Sequence, residues 1–195
     1  MRTNSLLVAA GALVIIGFSS LAYFAQTDDP YTETSTTSVE MVADSQTTKP
    51  NVTMQGTTSS QLQYLIEEEK LAHDVYLALY DVHGTQIFAN IARSETTHQE
   101  RVFALLNDRS IADPRAEERG TFTNSELQRL YDTLVARGTK NLEAALQVGV
   151  TIEEMDIADI TEQLKTTTDA DITATLEALR SASENHLSAF QRQLS

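Results

Sequence analysis

The residues best suited to chemistry are a carboxylate and an imidazole three positions apart, Glu95 and His98. At helical spacing both share one side with apolar neighbours, namely Phe88, Ile91, Val102 and Leu105. The pair is therefore predicted to point into the protein interior. A buried, unpaired carboxylate is costly enough to require a compensating partner, and a divalent metal is one candidate.

Three other segments also place ionisable side chains in apolar helical stripes. Together they give one set of candidate metal ligands: Glu69, Glu95, His98, Glu153, Asp156 and His186. Carboxylates and imidazoles suit iron or manganese, because oxygen and nitrogen ligands bind these metals and leave positions open for a small oxidant. Each of these motifs taken alone more often has a structural role. A metal-free hydrogen-bond network is therefore the alternative to a metal site. The coincidence on four helices gives the metal and the metal-free network about equal weight.

Several neighbouring polar residues are assigned structural or surface roles. Glu67 and Glu68 precede Glu69 in an acidic run, and helical spacing predicts that both are solvated. His73 and His83 are predicted to be structural. A second stripe through Val148 and Ile152 would leave Glu153 flanking the buried face.

The elements that must position these residues are helices, and we find no alternating strand pattern, so the fold class is all-α. Four long helices are predicted: from Ser59 or Ser60 to just before Gly84, then 86–107, 141–164, and from Asp169 or Asp171 onward. A shorter helix, capped by Asn124 or Ser125 and ending at Gly138, interrupts the connection between the second and third long helices. The short turn at Gly84 predicts antiparallel packing of the first two helices.

The chain before these helices has a different composition. Residues 1–26 contain an apolar run long enough to span a bilayer, with Arg2 before it and Asp28 after it. We therefore expect export, with the domain either anchored outside the cytoplasm or secreted or periplasmic if the segment is cleaved. Residues 27–59 are rich in Thr and Ser and are predicted to be a disordered linker to a domain at 60–195.

Composition excludes several functions. The formal charge of -14 argues against a nucleic-acid partner, which needs clustered Lys and Arg. The chain has no Cys, so disulfides and a cysteine nucleophile are excluded. A Gly-x-Ser-x-Gly elbow and a phosphate-binding glycine loop are also missing from the sequence.

Four separated motifs resemble a known family. They are EEEKLAHDVY at 67–76, FANIARSETTH at 88–98, ALQVGVTIEEMDI at 145–157 and SENHLSAF at 183–190. In this order they are similar to the ferritin-like DUF2202 family, over residues 61–195. The resemblance implies a ferritin-like four-helix bundle, here with an extra short helix in the crossover.

The resemblance also implies a di-iron or di-manganese centre. Ferritin-like proteins take one Glu from each of the first and third helices and a Glu-x-x-His from each of the second and fourth. Glu69, Glu153 and the Glu95/His98 pair match that pattern, and His186 is the fourth-helix imidazole. The departure is Ser183, which stands where the fourth-helix Glu is expected. Asp156 or Glu184 could substitute for it.

Two function hypotheses follow. The first is an exported, membrane-tethered domain with a mono- or dinuclear iron or manganese centre; if it is an enzyme, it is a metal-dependent oxidoreductase that oxidises Fe(II) or removes peroxide. Its partners would then be the membrane, a metal ion and a small oxidant, and a homo-oligomer is compatible with the sequence. The second is a metal-free helical bundle that serves as an interaction or envelope-structural module.

Overall fold

The described part of the protein is entirely helical. A computed structural model describes the backbone of residues 53–195 and the side chains from Thr58 onward. It contains five helices: α1 (Thr53–His83), α2 (Gln86–Asp108), α3 (Ser125–Gly138), α4 (Leu142–Thr166) and α5 (Ala170–Leu194). Between residues 53 and 195 there is no strand, which confirms the all-α prediction.

The helix boundaries follow from local chemistry. Asn124, Asn141 and Asp169 each accept backbone N–H hydrogen bonds at the starts of α3, α4 and α5. Gly84 adopts a positive φ of 65° in the turn between α1 and α2, a conformation that glycine tolerates best. One helix start differs from the prediction: α1 begins at Thr53, ahead of the predicted Ser59 or Ser60. Extending an existing helix costs far less than nucleating one, so polar residues can continue it.

The four long helices pack as a bundle. α1 lies along α2 and α4 lies along α5, while α2 also contacts α5 and α1 also contacts α4. The short helix α3 lies in the connection between α2 and α4 and packs against α1 and α4. None of these described helices is long and apolar enough to cross a membrane. The predicted hydrophobic segment at 1–26, like most of the predicted linker at 27–59, lies outside the described residues.

Two apolar clusters fill the bundle, with a polar layer between them. One cluster surrounds Tyr76, Phe88 and Phe190. The other includes Leu62, Leu106, Leu176 and their neighbours. In each long helix the candidate ligands fall between the segments that supply the two clusters. The ionisable residues therefore share one level of the bundle and are shielded from water above and below.

The acidic run on α1 is buried, so the prediction that Glu67 and Glu68 are solvated is wrong. The segment that connects α2 to α3 covers this face of the helix. Glu67 Oε1 accepts a hydrogen bond of 2.6 Å from the backbone N–H of Thr123, and Glu67 Oε2 accepts one of 3.1 Å from that of Asn124. A carboxylate at the N-terminus of α3 is favourable because the free N–H groups there carry partial positive charge.

Lys70 and Asp74 hold the same connecting segment. The Asp74 carboxylate accepts a hydrogen bond of 2.9 Å from the backbone N–H of Gly120 and pairs with the ammonium of Lys70. Lys70 also donates to the backbone carbonyl of Glu118 at 3.0 Å. Glu67, Lys70 and Asp74 thus fix the segment that connects α2 to α3. Of the three consecutive acids on α1, only Glu68 and Glu69 do not bond this segment.

Candidate metal centre

Glu95 lies at the middle of the polar layer and takes part in two groups of three side chains. In the first group, with Glu69 and His98, one ligand atom from each residue lies within 4.8 Å of the others. His98 Nδ1 is 3.1 Å from Glu69 Oε2 and 2.8 Å from Glu95 Oε2. All three side chains are buried.

The second group combines Glu95 with Glu153 and His186, under the same 4.8 Å limit. His186 Nδ1 is 3.0 Å from Glu95 Oε1 and 3.5 Å from Glu153 Oε2. Glu95 therefore directs one carboxylate oxygen toward each imidazole. The two imidazole rings stack with their centroids 5.6 Å apart. The two groups of three side chains therefore have the Glu95 carboxylate in common.

Both predicted stripes of α4 are buried, because this helix contacts α1, α3 and α5. Ile152 and Val148 belong to the apolar cluster near Tyr76, yet Glu153 is only 2 % exposed. Glu153 is therefore not a flanking residue. The neighbouring Glu154 is exposed.

Several buried polar atoms of this layer have no hydrogen-bond partner. They are Glu68 Oε2, Glu69 Oε1, Glu95 Oε1, Asp156 Oδ1 and His186 Nδ1. Glu95 Oε1 and His186 Nδ1 are close together, yet they are not oriented to bond one another. Buried polar groups in folded proteins are nearly always satisfied, so five orphans in one layer need an explanation. Three of these residues, Glu69, Glu95 and His186, belong to the two groups described above, where a bound ion would satisfy their atoms.

Asp156 lies beside the two groups without belonging to either. Its Oδ2 accepts a hydrogen bond from the hydroxyl of Ser183, the residue that stands where a fourth-helix Glu was expected. Glu184 is exposed and lies 3.9 Å from Arg180. Of the two predicted substitutes for the missing carboxylate, Asp156 therefore faces the polar layer and Glu184 does not.

Tyr76 holds Glu153 in place by a hydrogen bond, a role that the sequence analysis did not predict. The Tyr76 hydroxyl donates a hydrogen bond of 2.6 Å to Glu153 Oε1. Its ring lies 5.3 Å from that of Phe190. Phe190 in turn packs so tightly on Gly149 that a Cβ there would lie 2.6 Å from the ring. Tyr76 sits seven residues after Glu69 and on the same face, which is the signal that could have placed it at the site.

Burial sets the acidity of the carboxylates in the polar layer. It raises the pKa of Glu153 to about 7 and that of Asp156 to about 6, against the opposing effects of His186 and Ser183. Burial and the negative charge of Asp156 raise the pKa of Glu69 well above its ordinary value. Without a cation these groups therefore keep their protons to a higher pH than free carboxyl groups do, since the crowded interior cannot stabilise so many negative charges.

In the two imidazoles and in Glu95, by contrast, the surroundings favour the charged form. Burial disfavours the charged imidazoles, but contact with Glu69 and Glu95 raises the pKa of His98 to about 11, and contact with Glu153 and Glu95 raises that of His186 to about 9. Burial opposes ionisation of Glu95 as well, yet the facing imidazoles lower its pKa to about 2. In the metal-free protein two imidazolium groups thus flank one carboxylate.

The remaining two histidines bond away from this layer. His73 Nδ1 lies 2.8 Å from Asp74 Oδ1, and His83 Nε2 lies 2.8 Å from the backbone carbonyl of Gly138. Both contacts agree with the structural roles predicted for these residues. The nitrogen and oxygen donors of the polar layer, together with its orphaned atoms, fit a divalent transition metal such as iron or manganese.

Comparison with known proteins places the chain among uncharacterised relatives. It is 46% identical over 129 residues to the uncharacterized protein MJ0754 of Methanocaldococcus jannaschii, an alignment that covers 66% of this chain and 70% of the relative. The crystal structure of hypothetical protein MJ0754 from Methanococcus jannaschii aligns with a TM-score of 0.70 and 42% identity, covering 77% of this chain and 85% of the solved one. The family of uncharacterized protein domains DUF2202 matches residues 58–195. The chain therefore belongs to the DUF2202 family.

Proposed function

We propose that the domain is a ferritin-like four-helix bundle that binds two iron or manganese ions in its polar layer. Glu69 and His98 would hold one ion and Glu153 and His186 the other, with Glu95 shared between them. The observation that carries the proposal is the geometry of Glu95, whose two oxygens lie 2.8 Å and 3.0 Å from different imidazoles. A purely hydrogen-bonded layer would not leave Glu69 Oε1 and Asp156 Oδ1 without partners.

The two sites would differ in their surroundings. Asp156 supplies a carboxylate from α4 where α5 carries only the hydroxyl of Ser183. The aspartate has a shorter side chain than glutamate and lies on α4, so it would offer its carboxylate from another direction than a Glu at position 183 of α5. We therefore expect the two ions to bind with unequal affinity.

The chemistry that bound iron or manganese would supply is redox, either the oxidation of Fe(II) or the removal of peroxide. The protein's own contribution is positional. The apolar clusters on both sides exclude water, and the Tyr76 hydroxyl fixes the orientation of Glu153. Because the imidazoles are protonated without metal, binding requires that both release a proton.

Metal analysis tests this proposal. We expect protein purified without a chelating tag, then loaded with Fe(II) under anaerobic conditions or with Mn(II), to hold up to about two ions per chain. The Glu95→Ala/His98→Ala double variant should lose this metal. Its matched control is Glu154→Ala/His73→Ala, which removes one exposed acid and one imidazole outside the layer and should load normally.

The competing function, a metal-free bundle that acts as an interaction or envelope-structural module, predicts a different result. The parent would then hold less than about 0.2 ions per chain, unchanged in the double variant, and a chelator would not affect its stability. The double variant would lose stability but no metal, because the hydrogen bond between His98 and Glu69 would be broken. That outcome would refute the metal proposal.

The location of the domain forms a separate part of the proposal. We expect residues 1–26 to direct export and, if they are retained, to attach the domain to the membrane from outside the cytoplasm. Fractionation of cells that express the full chain should place it in the membrane or the exported fraction. A variant lacking 1–26 should stay in the cytoplasm, and equal distribution of both forms would contradict this part alone.

A further inference from the structure

Glu68 is a buried carboxyl group with no assigned role. It is 7 % exposed, and its Oε2 has no hydrogen-bond partner. It belongs to neither group of three around Glu95, and it does not bond the connecting segment that Glu67, Lys70 and Asp74 hold. A proton can neutralise this carboxyl group, but its unpartnered oxygen also offers a contact to a cation that visits this position.

A small cavity meets Glu68 between α1, α3 and α4. Its volume is about 10 Å³, which is room for about one water molecule or one cation. Glu68, Glu69 and Asp156 contribute to its wall, so it touches the proposed ligand Glu69 directly. On the outer side it is lined by the half-buried Leu130 and Met155.

The carboxyl groups of the cavity wall are all buried. Glu68 and Asp156 are each 7 % exposed, and Glu69, the proposed ligand, is 2 % exposed. Glu68, Glu69 and Asp156 line the same small cavity, so the three carboxyl groups lie close together. A row of acids in a narrow, poorly solvated opening concentrates field lines and attracts cations inward.

We infer that divalent cations reach the proposed centre through the opening between α1, α3 and α4, where Glu68 is the first fully buried carboxylate to bind them and passes them to Asp156 and Glu69. This inference rests on the proposed metal function. Glu68 acts here in transfer and is not a ligand of the final centre, because its carboxylate does not join either group around Glu95. Its free oxygen and that of Asp156 offer a passing cation two weak contacts in place of a closed coordination shell.

The rate of metal uptake tests the inference. Co(II) is the probe, because its visible absorption changes when protein ligands replace water, and stopped-flow mixing with the metal-free protein follows that change. Glu68→Gln keeps the shape of the side chain and removes its charge. We expect uptake to slow about tenfold with the final amount of bound Co(II) unchanged. Glu68→Asp, which keeps the charge, should recover most of the rate.

Glu154→Gln is the matched control, since it removes one exposed acid from α4 and should load at the parent rate. Uptake by Glu68→Gln at the parent rate would overturn the inference and point to another route, such as the side of His186, whose side chain is 12 % exposed. A lower final amount of Co(II) in Glu68→Gln would also overturn it, because Glu68 would then be a ligand of the centre. A parent that binds no Co(II) would refute the proposed function together with the inference.

Discussion

Metal-free protein is expected to lose stability steadily as the pH rises from about 5 to about 9. The cause is the polar layer, whose native state holds protons that the unfolded chain releases. We expect a total loss of several kcal/mol, which for a domain of this size lowers the unfolding temperature by about 10 °C or more. Circular dichroism melts in the presence of a chelator, at a series of pH values, measure this loss.

The sign follows from the direction of each shift. Glu153 and Asp156 have native pKa values raised to about 7 and about 6, so the stability present below their unfolded pKa values disappears as the pH rises through the native ones. His98 and His186, raised to about 11 and about 9, extend the loss upward from their unfolded pKa near 6.5. Glu95 is lowered to about 2, and its contribution fails only in acid, outside this window.

Two comparisons isolate the cause. Glu153→Gln should flatten the acidic half of the pH profile, whereas Glu143→Gln, which changes an exposed acid in the first turn of α4, should leave it unaltered. Mn(II) should reverse the slope, because the metal replaces the protons and binds more tightly as the pH rises. Stability of the metal-free protein that stays level or increases between about pH 5 and about pH 9 would contradict the assigned protonation of the layer.

The sequence predicts those parts of the structure that depend on neighbouring residues in one helix. Glu95 and His98 can be placed inside because they are three apart in an apolar stripe, and their burial confirms this. The caps at Asn124 and Asp169 are likewise local, because each side chain bonds the N–H groups of the next few residues. The all-helical fold follows from the same short-range periodicity.

Contacts between distant segments could not be predicted in this way. Glu67 is buried because residues 123 and 124 lie over it. The three consecutive acids by themselves do not indicate that another segment covers them. Asp156 on α4 accepts a hydrogen bond from Ser183 on α5, 27 residues further along the chain. The spacing within α4 offers two plausible stripes, and only the packing of this helix on three others decides that both are buried.

Ser183→Glu is expected to destabilise the metal-free protein by about 3 to 5 kcal/mol, although it restores the residue that the ferritin-like pattern leads one to expect. Ser183 is fully buried and bonds Asp156, so a longer acid there meets a carboxylate already in place. The new group adds volume to a packed layer and a charge to one that already carries several acids. Urea unfolding in the presence of a chelator, with Ser183→Gln as the control for size, separates the two causes.

Moving the carboxylate between helices tests whether Asp156 occupies the place of the missing fourth-helix acid. Asp156→Ser combined with Ser183→Glu keeps one acid and one hydroxyl in contact, so the double variant should recover most of the stability lost in Ser183→Glu. If the proposed centre binds two ions, the more symmetric ligand set should give metal binding at the parent level with more equal affinities. Additive destabilisation by the two changes would instead mean that Asp156 and Ser183 are independent, and that Asp156 compensates nothing on α5. The coupling energy between the two positions therefore decides whether the unusual serine and the extra aspartate form one adaptation of the site.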